Sequence, residues 1–485
     1  MRAVTPWQEL QLWLGAVLGR LAFYWAEVAA TVTVTLALLT TWHIVQHKRD
    51  SRAAAAWTGL VWLVPLLGVA LYATLGVNRI RRRARQLTGG ELETVAGWRP
   101  AAEPLPESEG LRSLALLVRN VTGLPLTGGN RVTPMDSPRA WQEMLNAIET
   151  ARESIFLCTY IFGNDEAGRP FVDALARAHA RGVKVRVLLD GMGTLYSIPP
   201  VTGRLRRQGV PMARFLYSLA PWRMPYLNLR NHRKIMVVDR QLGFTGGMNL
   251  RAGYLSTPPT VQDMHFGVRG PVVGHLLRSF AADWQFSTGE LLDHAYRGPA
   301  SCGTVLARGI TAGPDADLDK RRLALLSALN RAEHRIRIMT PYFVPEQTLI
   351  TAINLACLRG VQVQLILPSV NNLRLVHWAA MHIAPWLLEQ GVEIALAPPP
   401  FDHSKLMLVD DEWVCLGSGN WDARSLRLNF EFDLECYDSS LAGHLNQLFD
   451  ERLAASRSLD LAQCRQRTVG QRLRYALAHL MEPYL

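Results

Sequence analysis

Two long uncharged stretches stand out in the first eighty residues. The first runs from Val28 to Gln46, and the second fills the 26 positions between Arg52 and Arg79. A helix of about 20 apolar residues is long enough to cross a bilayer. We therefore predict a membrane anchor over residues 1–85, built as a hairpin of two transmembrane helices at about 25–47 and 54–77.

Beyond residue 110 the apolar residues occur in short runs. The runs at 154–162 and 183–191 are rich in β-branched residues, and the segment between them has helical spacing. A strand, a helix and a strand in this order predict a βαβ unit. Residues 86–110 mix Gly, Pro and acidic residues without an apolar period, so we interpret them as a linker.

The same pattern occurs twice along the chain. Three segments of the first half have counterparts in the second: SIFLCTYIF with RIRIMTPYF, RGVKVRVLL with RGVQVQLIL, and LRRQGVPM with LLEQGVEI. Their offsets of 181, 178 and 182 residues are nearly equal, which indicates a duplicated domain. We therefore predict an α/β fold with two duplicated α/β domains, over 111–300 and 301–485, packed about a pseudo-two-fold axis.

A short polar motif follows the matched segments in each half. The two copies have identical spacing: His232, Lys234, Asp239, Gly246 and Asn249, then His403, Lys405, Asp410, Gly417 and Asn420. They lie 171 residues apart and use two of only five lysines among 52 basic residues. A single copy would indicate a surface or structural role, but two identical copies indicate a shared site.

The residue types in the motif indicate phosphoryl chemistry. Residues i and i+2 of a strand point to the same face, so each copy would present an imidazole beside an ammonium. Two such pairs and two Asn amides around one volume would suit a phosphoryl group. One histidine could attack phosphorus while the other protonates the leaving alkoxide and then activates the incoming alcohol, through a phosphohistidine.

A carboxylate behind each imidazole would fix its tautomer. Asp263 and Glu431, which follow the Asn of their own halves, are candidates for this role. Asp239 and Asp410 are the alternative, but they lie an odd number of residues beyond the His and Lys and would face away in a regular strand. On these grounds alone we interpret them as structural.

Charge and composition narrow the partners. A formal net charge of +11 favours an anionic partner, either nucleic acid or an acidic membrane surface. The six cysteines have no Cys-x-x-Cys spacing, so neither a disulfide framework nor a zinc site is indicated. Five arginines within residues 79–85 outnumber the three basic residues within 48–52, which favours a cytoplasmic location for everything after residue 79.

Taken together, these features resemble the bacterial cardiolipin synthases of the phospholipase D superfamily. The resemblance runs from about residue 50 to the C-terminus and rests on AWTGLVWLVPLLGVALYATLG, DGMGT, RNHRKIMVVD, TGGMN, TPYFVP, HSKLMLVDD and GSGNWDARSLRLNFE. It implies a multi-pass enzyme of the bacterial inner membrane without metal or cofactor. The implied reaction transfers a phosphatidyl group between two phosphatidylglycerol molecules, giving cardiolipin and glycerol.

The resemblance also implies a role for each residue of the site. His232 would be the nucleophile and His403 the acid and base, although the similarity of the copies leaves the order open. The implied phosphate-binding residues are Lys234, Lys405, Asn249, Asn420 and Ser418. Asp239 and Asp410 join the catalytic set only because they match the family's motif.

Other functions are compatible with the same residues. A phospholipase D-type hydrolase would pass the same intermediate to water, and a related transferase would use phosphatidylethanolamine as acceptor. A nuclease would use the same site on an anionic polymer, but the membrane anchor argues against nucleic acid as a partner. A non-enzymatic lipid-binding scaffold would not need the histidines. The sequence leaves the oligomeric state open.

Overall fold

The computed structural model describes residues 6–48, 51–76, 103–217, 229–256 and 258–482. They form two compact units, a helical one within residues 6–76 and an α/β one within 103–482. The predicted linker lies outside the described residues as far as residue 102, and so does the arginine cluster at 79–85.

The N-terminal unit is helical throughout. Its elements are α1 (Pro6–His47), α2 (Ser51–Leu63) and α3 (Pro65–Leu71), the last continued by a π-helical turn (Tyr72–Gly76). Among the described residues, one segment, Tyr24–His47, is long and apolar enough to cross a membrane. This segment coincides with the first predicted span.

The second predicted span, at about 54–77, is not confirmed as one helix. Val64 leaves the helical region with φ −137° and ψ 74°, directly before Pro65. The proline ring disfavours helical conformation in the preceding residue and removes an N–H donor, so α2 ends there. The 13 residues of α2 span about 20 Å, less than the roughly 30 Å of a hydrocarbon core.

After this break, α3 runs back along α2. A Cβ on Gly68 would lie only 2.6 Å from the carbonyl oxygen of Leu60, so the close approach of the two helices requires glycine. Further along, the Tyr72 ring lies edge-on to Trp57 at 5.4 Å. The Tyr72 hydroxyl is 2.9 Å from Nδ1 of His43 in α1. Both ends of segment 51–76 therefore lie at the His43 end of α1.

The α/β unit contains most of the chain. Its described strands are β1 (Thr127–Asp136), β2 (Ser154–Thr159), β3 (Lys184–Asp190), β4 (Met212–Phe215), β5 (Arg230–Asn231), β6 (Ile235–Val238), β7 (Leu242–Gly246), β8 (Val261–Gln262), β9 (Met264–Arg269), β10 (Val305–Ala312), β11 (Arg335–Met339), β12 (Phe343–Val344), β13 (Gln362–Pro368), β14 (Glu393–Ala397), β15 (Phe401–Asp402), β16 (Leu406–Val409), β17 (Trp413–Gly417), β18 (Trp421–Asp422), β19 (Asn429–Tyr437) and β20 (Arg457–Ser458).

Helices connect these strands and cover the sheet. The described ones are α4 (Glu109–Thr122), α5 (Ser137–Thr150), α6 (Gly168–Ala180), α7 (Val201–Arg207), α8 (Val273–Thr288), α9 (Lys320–Arg331), α10 (Gln347–Leu358), α11 (Arg374–Glu389), α12 (Ala423–Arg427), α13 (Ser439–Ala454), α14 (Leu461–Arg465) and α15 (Val469–His479).

Sixteen of the described strands form one mixed sheet that runs through both halves. Its order is β20-β14-β13-β11-β16-β17-β19-β10-β1-β9-β7-β6-β2-β3-β4, with β5 beside β19. The order is mirrored about the antiparallel β1–β10 pair, so parallel β2, β3 and β4 correspond to parallel β11, β13 and β14. The predicted α/β class and its two repeats are confirmed. Each half has its own apolar core. Strands such as β2 are buried on both faces, as expected for parallel strands covered by helices on each side.

Two short parallel ladders connect the halves at a second place. In one, β5 pairs with β19, so that Asn231 lies opposite Phe430. In the other, β15 pairs with β8, so that Asp402 lies opposite Gln262. Each ladder joins the segment just before one histidine motif to the segment just before a carboxylate of the other half.

Candidate active site

The two histidine motifs lie in extended chain between strands, not inside strands as predicted. His232 and Lys234 follow β5 and precede β6, and His403 and Lys405 follow β15 and precede β16. All four side chains are buried. The structure thus places each imidazole next to the ammonium of its own motif, as the spacing of two residues suggests.

Each histidine is paired with a carboxylate from the opposite half. Nδ1 of His232 lies 3.0 Å from both carboxylate oxygens of Glu431, and Nδ1 of His403 lies 2.9 Å from Oδ2 of Asp263. The sequence identified both carboxylates as candidates but not their exchange between halves.

The short ladders set this register. The backbone N–H of His232 donates to the carbonyl of Phe430 at 2.9 Å, and the next residue is Glu431. Likewise the N–H of His403 donates to the carbonyl of Gln262 at 2.8 Å, directly before Asp263. The backbone pairing therefore delivers each carboxylate to the imidazole of the other half.

The two carboxylates differ in their hydrogen-bond donors. Glu431 accepts from Ser418 Oγ at 2.6 Å, from Ser425 Oγ at 3.0 Å and from Asn429 Nδ2 at 3.1 Å. Oδ1 of Asp263, in contrast, is buried and has no partner among the described residues. Gly247 occupies the position in the first half that Ser418 occupies in the second, so the equivalent hydroxyl is missing.

These surroundings separate the pKa values of the two carboxyl groups. Burial alone would raise the pKa of Glu431, but His232, Lys234 and Ser418 outweigh it and lower the pKa to about 2. Burial raises the pKa of Asp263 well above its usual range despite the opposing charge of Lys405. At neutral pH, Glu431 is ionised, whereas Asp263 retains a proton much more readily.

Burial and lysine charge lower the pKa of both histidines. Burial is the main cause for His232, whose pKa falls to about 4 even though Glu431 opposes the shift. The pKa of His403 falls well below its usual range through burial and the charges of Lys405 and Lys234. Both imidazoles are therefore neutral at neutral pH.

The two lysines stay close to the backbone of their own motifs. Nζ of Lys234 donates to the carbonyl of His232 at 2.7 Å, and Nζ of Lys405 donates to the carbonyl of His403 at 2.5 Å. Burial lowers their pKa values to about 7 and about 8, with the carboxylates of the site opposing the shift. Additional negative charge in the site would restore both ammonium ions.

The two asparagines have different surroundings. Asn249 accepts from the N–H of Ile161 at 3.1 Å and donates to the hydroxyl of Tyr254 at 3.3 Å. That hydroxyl in turn lies 3.3 Å from Nδ1 of His403. The side-chain oxygen of Asn420 is also buried, but unlike that of Asn249 it accepts no hydrogen bond from the described residues.

Asp239 and Asp410 point away from the imidazoles. Asp239 accepts backbone N–H groups of residues 152–154, the shortest at 2.7 Å, and Asp410 accepts those of residues 333–335, the shortest at 2.7 Å. Both residues adopt a left-handed conformation with φ +50°. They therefore anchor the starts of β2 and β11, which is the structural role inferred from strand geometry and differs from the catalytic role implied by the motif.

Sequence reasoning missed several residues that contact the site. The rings of Tyr160 and Tyr342 lie edge-on to His232 at 5.0 Å and to His403 at 6.1 Å. Each of the matched segments TYIF and TPYF contains one tyrosine, but the two are offset by one position, because Tyr160 aligns with Pro341 and Tyr342 with Ile161. Ser425 and Asn429 lie in the stretch after the second Asn, and no feature of the sequence singled them out.

Within the described residues, no group of three or more His, Cys, Asp and Glu side chains is arranged to hold a metal ion. The site instead contains two neutral imidazoles, two buried lysines and two unlike carboxyl groups. Such a set can attack, protonate and deprotonate at one phosphorus atom while offering cations to its oxygens.

Protein-family models match both the N-terminal helical part and the α/β part of the chain. The family described as "Cardiolipin synthase, PLD-like domain" matches residues 144–284 and 325–453, one match in each half. The family described as "Phospholipase_D-nuclease N-terminal" matches residues 35–76. The first match covers both histidine motifs and both partner carboxylates.

Similar proteins extend over almost the whole chain. Cardiolipin synthase A of Pseudomonas putida (strain GB-1) is 30% identical over 463 residues, which covers 93% of this chain and 96% of the relative. Cardiolipin synthase A of Pseudomonas aeruginosa (strain LESB58) is 32% identical, covering 91% and 93%. The major cardiolipin synthase ClsA of Bacillus subtilis (strain 168) is 29% identical, covering 91% and 95%.

Among solved structures, phosphatidylserine synthase of Haemophilus influenzae Rd KW20 has the same fold. It superposes with a TM-score of 0.60 over 77% of this chain and 100% of its own, at 14% identity. With two matched repeats, nearly full-length relatives and this fold, the chain belongs to the cardiolipin synthase family of PLD-like proteins.

Proposed function

We propose that this protein is a phosphatidyltransferase that converts two molecules of phosphatidylglycerol into cardiolipin and glycerol. The observation that carries the proposal is the pair of crossed His–carboxylate contacts, each with a buried lysine that donates to the backbone carbonyl of the histidine. Relatives named cardiolipin synthase that match over nine-tenths of the chain support the choice of substrate.

The first step uses His232 as nucleophile. Ionised Glu431 accepts the Nδ1 proton of His232, which leaves the lone pair on Nε2. Nε2 attacks the phosphorus of the first phosphatidylglycerol, an N–P bond forms, and the P–O bond to glycerol breaks. Glu431 stabilises the cationic phosphohistidine that results.

His403 acts as the acid in this step. Because the pKa of Asp263 is raised, we assign the proton between Asp263 and His403 to the carboxyl group, which donates it to Nδ1 of His403. The hydrogen of the neutral imidazole is then on Nε2. Nε2–H protonates the glycerol oxygen as it leaves. The proton on Asp263 shifts toward Nδ1 at the same time, so the pair gives up one proton without passing through a buried cation.

The second step reverses the proton movement. The terminal hydroxyl of a second phosphatidylglycerol attacks phosphorus while Nε2 of His403 takes its proton. The N–P bond breaks, cardiolipin is released, and His232 returns to its neutral form. Water in place of the lipid alcohol would give phosphatidic acid from the same intermediate.

The other residues of the site divide into two groups. Lys234, Lys405 and Asn420 bind the phosphate oxygens, and the anionic diester raises the pKa of both lysines on arrival. Ser418 is committed to Glu431 and Asn249 to Tyr254, so we assign them positioning roles in place of phosphate binding.

We infer that the enzyme acts at the cytoplasmic face of the bacterial inner membrane. In this proposal α1 forms one span, and α2 and α3 enter and leave the bilayer by the same face; the long apolar segment of α1 and the close antiparallel approach of α2 and α3 support this arrangement. The basic residues within 48–52 and 79–85 flank this pair in the sequence, so we infer from the reversal that both groups lie on the same side of the membrane. Positive residues concentrate on the cytoplasmic side, which places the α/β unit there.

The decisive experiment follows labelled phosphatidylglycerol in detergent–lipid micelles with the purified full-length enzyme. Cardiolipin and free glycerol should form with the wild type and disappear in His232→Ala and His403→Ala variants. Phosphatidic acid as the main product would identify a hydrolase. A product that forms only when phosphatidylethanolamine is added would identify a different acceptor.

A further inference from the structure

The C-terminal helix α15 exposes a row of large apolar side chains. In the helix and the turn that follows, Val469 is 80% exposed, Leu473 58%, Leu477 54%, Leu480 73% and Met481 46%. At 3.6 residues per turn these five residues fall within about a third of the helix circumference. We call this row the C-terminal stripe.

The opposite face of α15 belongs to the core of the second half. Ala478 is buried there, and Tyr475 is partly buried against the same apolar cluster as α11. At one end of the contact, the ring of Trp386 in α11 lies edge-on to His479 at 6.2 Å. The helix is therefore held in place by one face, while the C-terminal stripe faces outward.

Two exposed arginines border the C-terminal stripe, one on each side of it. Arg472 donates to the carbonyl oxygens of Arg465 at 2.9 Å and Arg467 at 3.0 Å. The guanidinium of Arg474 lies over the ring of Trp378 at 4.7 Å. Neither contact is to a carboxylate, and no ion pair joins either arginine to another described residue, so both positive charges lie beside the apolar row.

We propose that the C-terminal stripe lies in the interface of the bilayer that supplies the lipid substrate, as a membrane contact additional to the N-terminal anchor. An apolar face bordered by arginines is the pattern of helices that lie at an anionic membrane surface, with the arginines at the headgroups. Trp386, 44% exposed at the same end, adds an aromatic residue of the kind enriched at that depth.

The size of the surface favours a bilayer over a second protein. The 11 residues of α15 are about 16 Å long. A stable protein interface needs about 800 Å² from each partner, considerably more than one short helix face offers. A bilayer sets no such minimum, because the tether at the N-terminus already keeps the protein there.

The inference extends the proposed function, because the substrate supplies the anionic lipid. Holding α15 in the interface fixes one orientation of the α/β unit with respect to the surface. It should therefore matter for lipid drawn from a bilayer and be dispensable for short-chain phosphatidylglycerol dissolved as monomers.

Lipid contact can be measured directly in the full-length protein in phosphatidylglycerol vesicles. An environment-sensitive fluorophore is attached at Leu477→Cys, with Cys302 and Cys357 changed to Ser because they are the described thiols that are not fully buried. Nitroxide groups on the lipid acyl chains should quench it. The matched control, Leu358→Cys at a position 71% exposed on α10, should be quenched only by iodide in the water. Quenching of the Leu477→Cys probe by iodide alone, or by neither agent, would overturn the proposal, the latter result indicating a protein partner.

Activity supplies the second readout. The double substitution Leu473→Glu/Leu477→Glu should lower the activity on phosphatidylglycerol in vesicles roughly tenfold, because two charged side chains replace apolar ones that favour the membrane interface. Activity on short-chain phosphatidylglycerol should be retained, and the control Leu355→Glu/Leu358→Glu should be unchanged on both substrates. Equal losses on both substrates would contradict a membrane role. Wild-type enzyme that makes no cardiolipin from either substrate would refute the proposed function, while the quenching experiment would still report on the C-terminal stripe.

Discussion

Nδ1 of His232 lies 3.0 Å from both carboxylate oxygens of Glu431, although the two residues are 199 positions apart in the sequence. Glu431 belongs to the second half and His232 to the first, and the His403–Asp263 pair repeats this exchange in the other direction. Neither half therefore carries a complete histidine–carboxylate pair of its own. The differing donors around Glu431 and Asp263 make the two pairs chemically unequal, which the near-identical motifs conceal.

This inequality predicts separate roles for the two histidines. A phosphatidyl donor with p-nitrophenol as leaving group needs no acid, so His403→Ala should still form the N–P bond. We expect a burst of one p-nitrophenol per enzyme and a trapped phosphatidyl-enzyme, because the base for the second step is missing. His232→Ala should show neither. A burst in His232→Ala and none in His403→Ala would reverse the assignment.

The donors to Glu431 can be tested one at a time. Ser425→Ala removes a hydrogen bond to a buried carboxylate, which costs about 1–3 kcal/mol. The bond stabilises the ionised form of Glu431, which accepts the Nδ1 proton of His232. We therefore expect kcat to fall about tenfold and the pKa of His232, read from the kcat/KM profile, to change. Ser279→Ala is the matched control, since Ser279 is a buried serine whose hydroxyl has no partner among the described residues. Equal effects of the two substitutions would assign Ser425 a packing role only.

The pH dependence of kcat/KM should have two limbs. Below about pH 4, His232 takes up a proton and loses its lone pair, so activity falls as the pH decreases. Above about pH 7 to 8, Lys234 and Lys405 lose their protons in the free enzyme, so phosphate binding weakens as the pH increases. Profiles measured with short-chain phosphatidylglycerol, with folding followed by circular dichroism, check both limbs. Lys405→Gln should lower activity and remove the inflection near pH 8; a wild-type profile that stays level to pH 10 would contradict the assignment.

Asp410 should matter for stability and not for chemistry. Asp410→Ala leaves three backbone N–H groups at the start of β11 without their acceptor, which should lower the free energy of unfolding by about 2 kcal/mol or more. Thermal unfolding measures this loss, and kcat per folded molecule should stay near the wild-type value. Glu412→Ala, two residues further on, is the control, since it removes a carboxylate from the same turn without taking an acceptor from these N–H groups. A loss of kcat as large as that of His403→Ala would restore the catalytic role implied by the motif.

The sequence predicts those parts of the fold that depend on periodicity. β-branched runs and their offsets identify the duplicated α/β halves, and identical spacing identifies the histidine motifs. The exchange of Asp263 and Glu431 depends on β5 and β8, ladders of two residues that have no detectable period. Hydropathy carries no information on the direction of a helix, so it does not predict the reversal at Pro65, although the proline itself indicates a break in the helix.

That reversal makes a prediction about membrane topology. If α2 and α3 enter and leave by one face, the start of α1 lies in the periplasm, whereas two complete spans would place it in the cytoplasm. Alkaline phosphatase fused to the N-terminus should be active, and green fluorescent protein fused to the C-terminus should fluoresce. Gly68→Leu should disturb the α2–α3 pair, because a side chain there meets the backbone of Leu60. Gly59→Leu is the control, since a Cβ on Gly59 meets nothing within 4 Å. An inactive N-terminal phosphatase beside a fluorescent C-terminus would support two complete spans, because a second crossing is the arrangement that returns both ends to the cytoplasm.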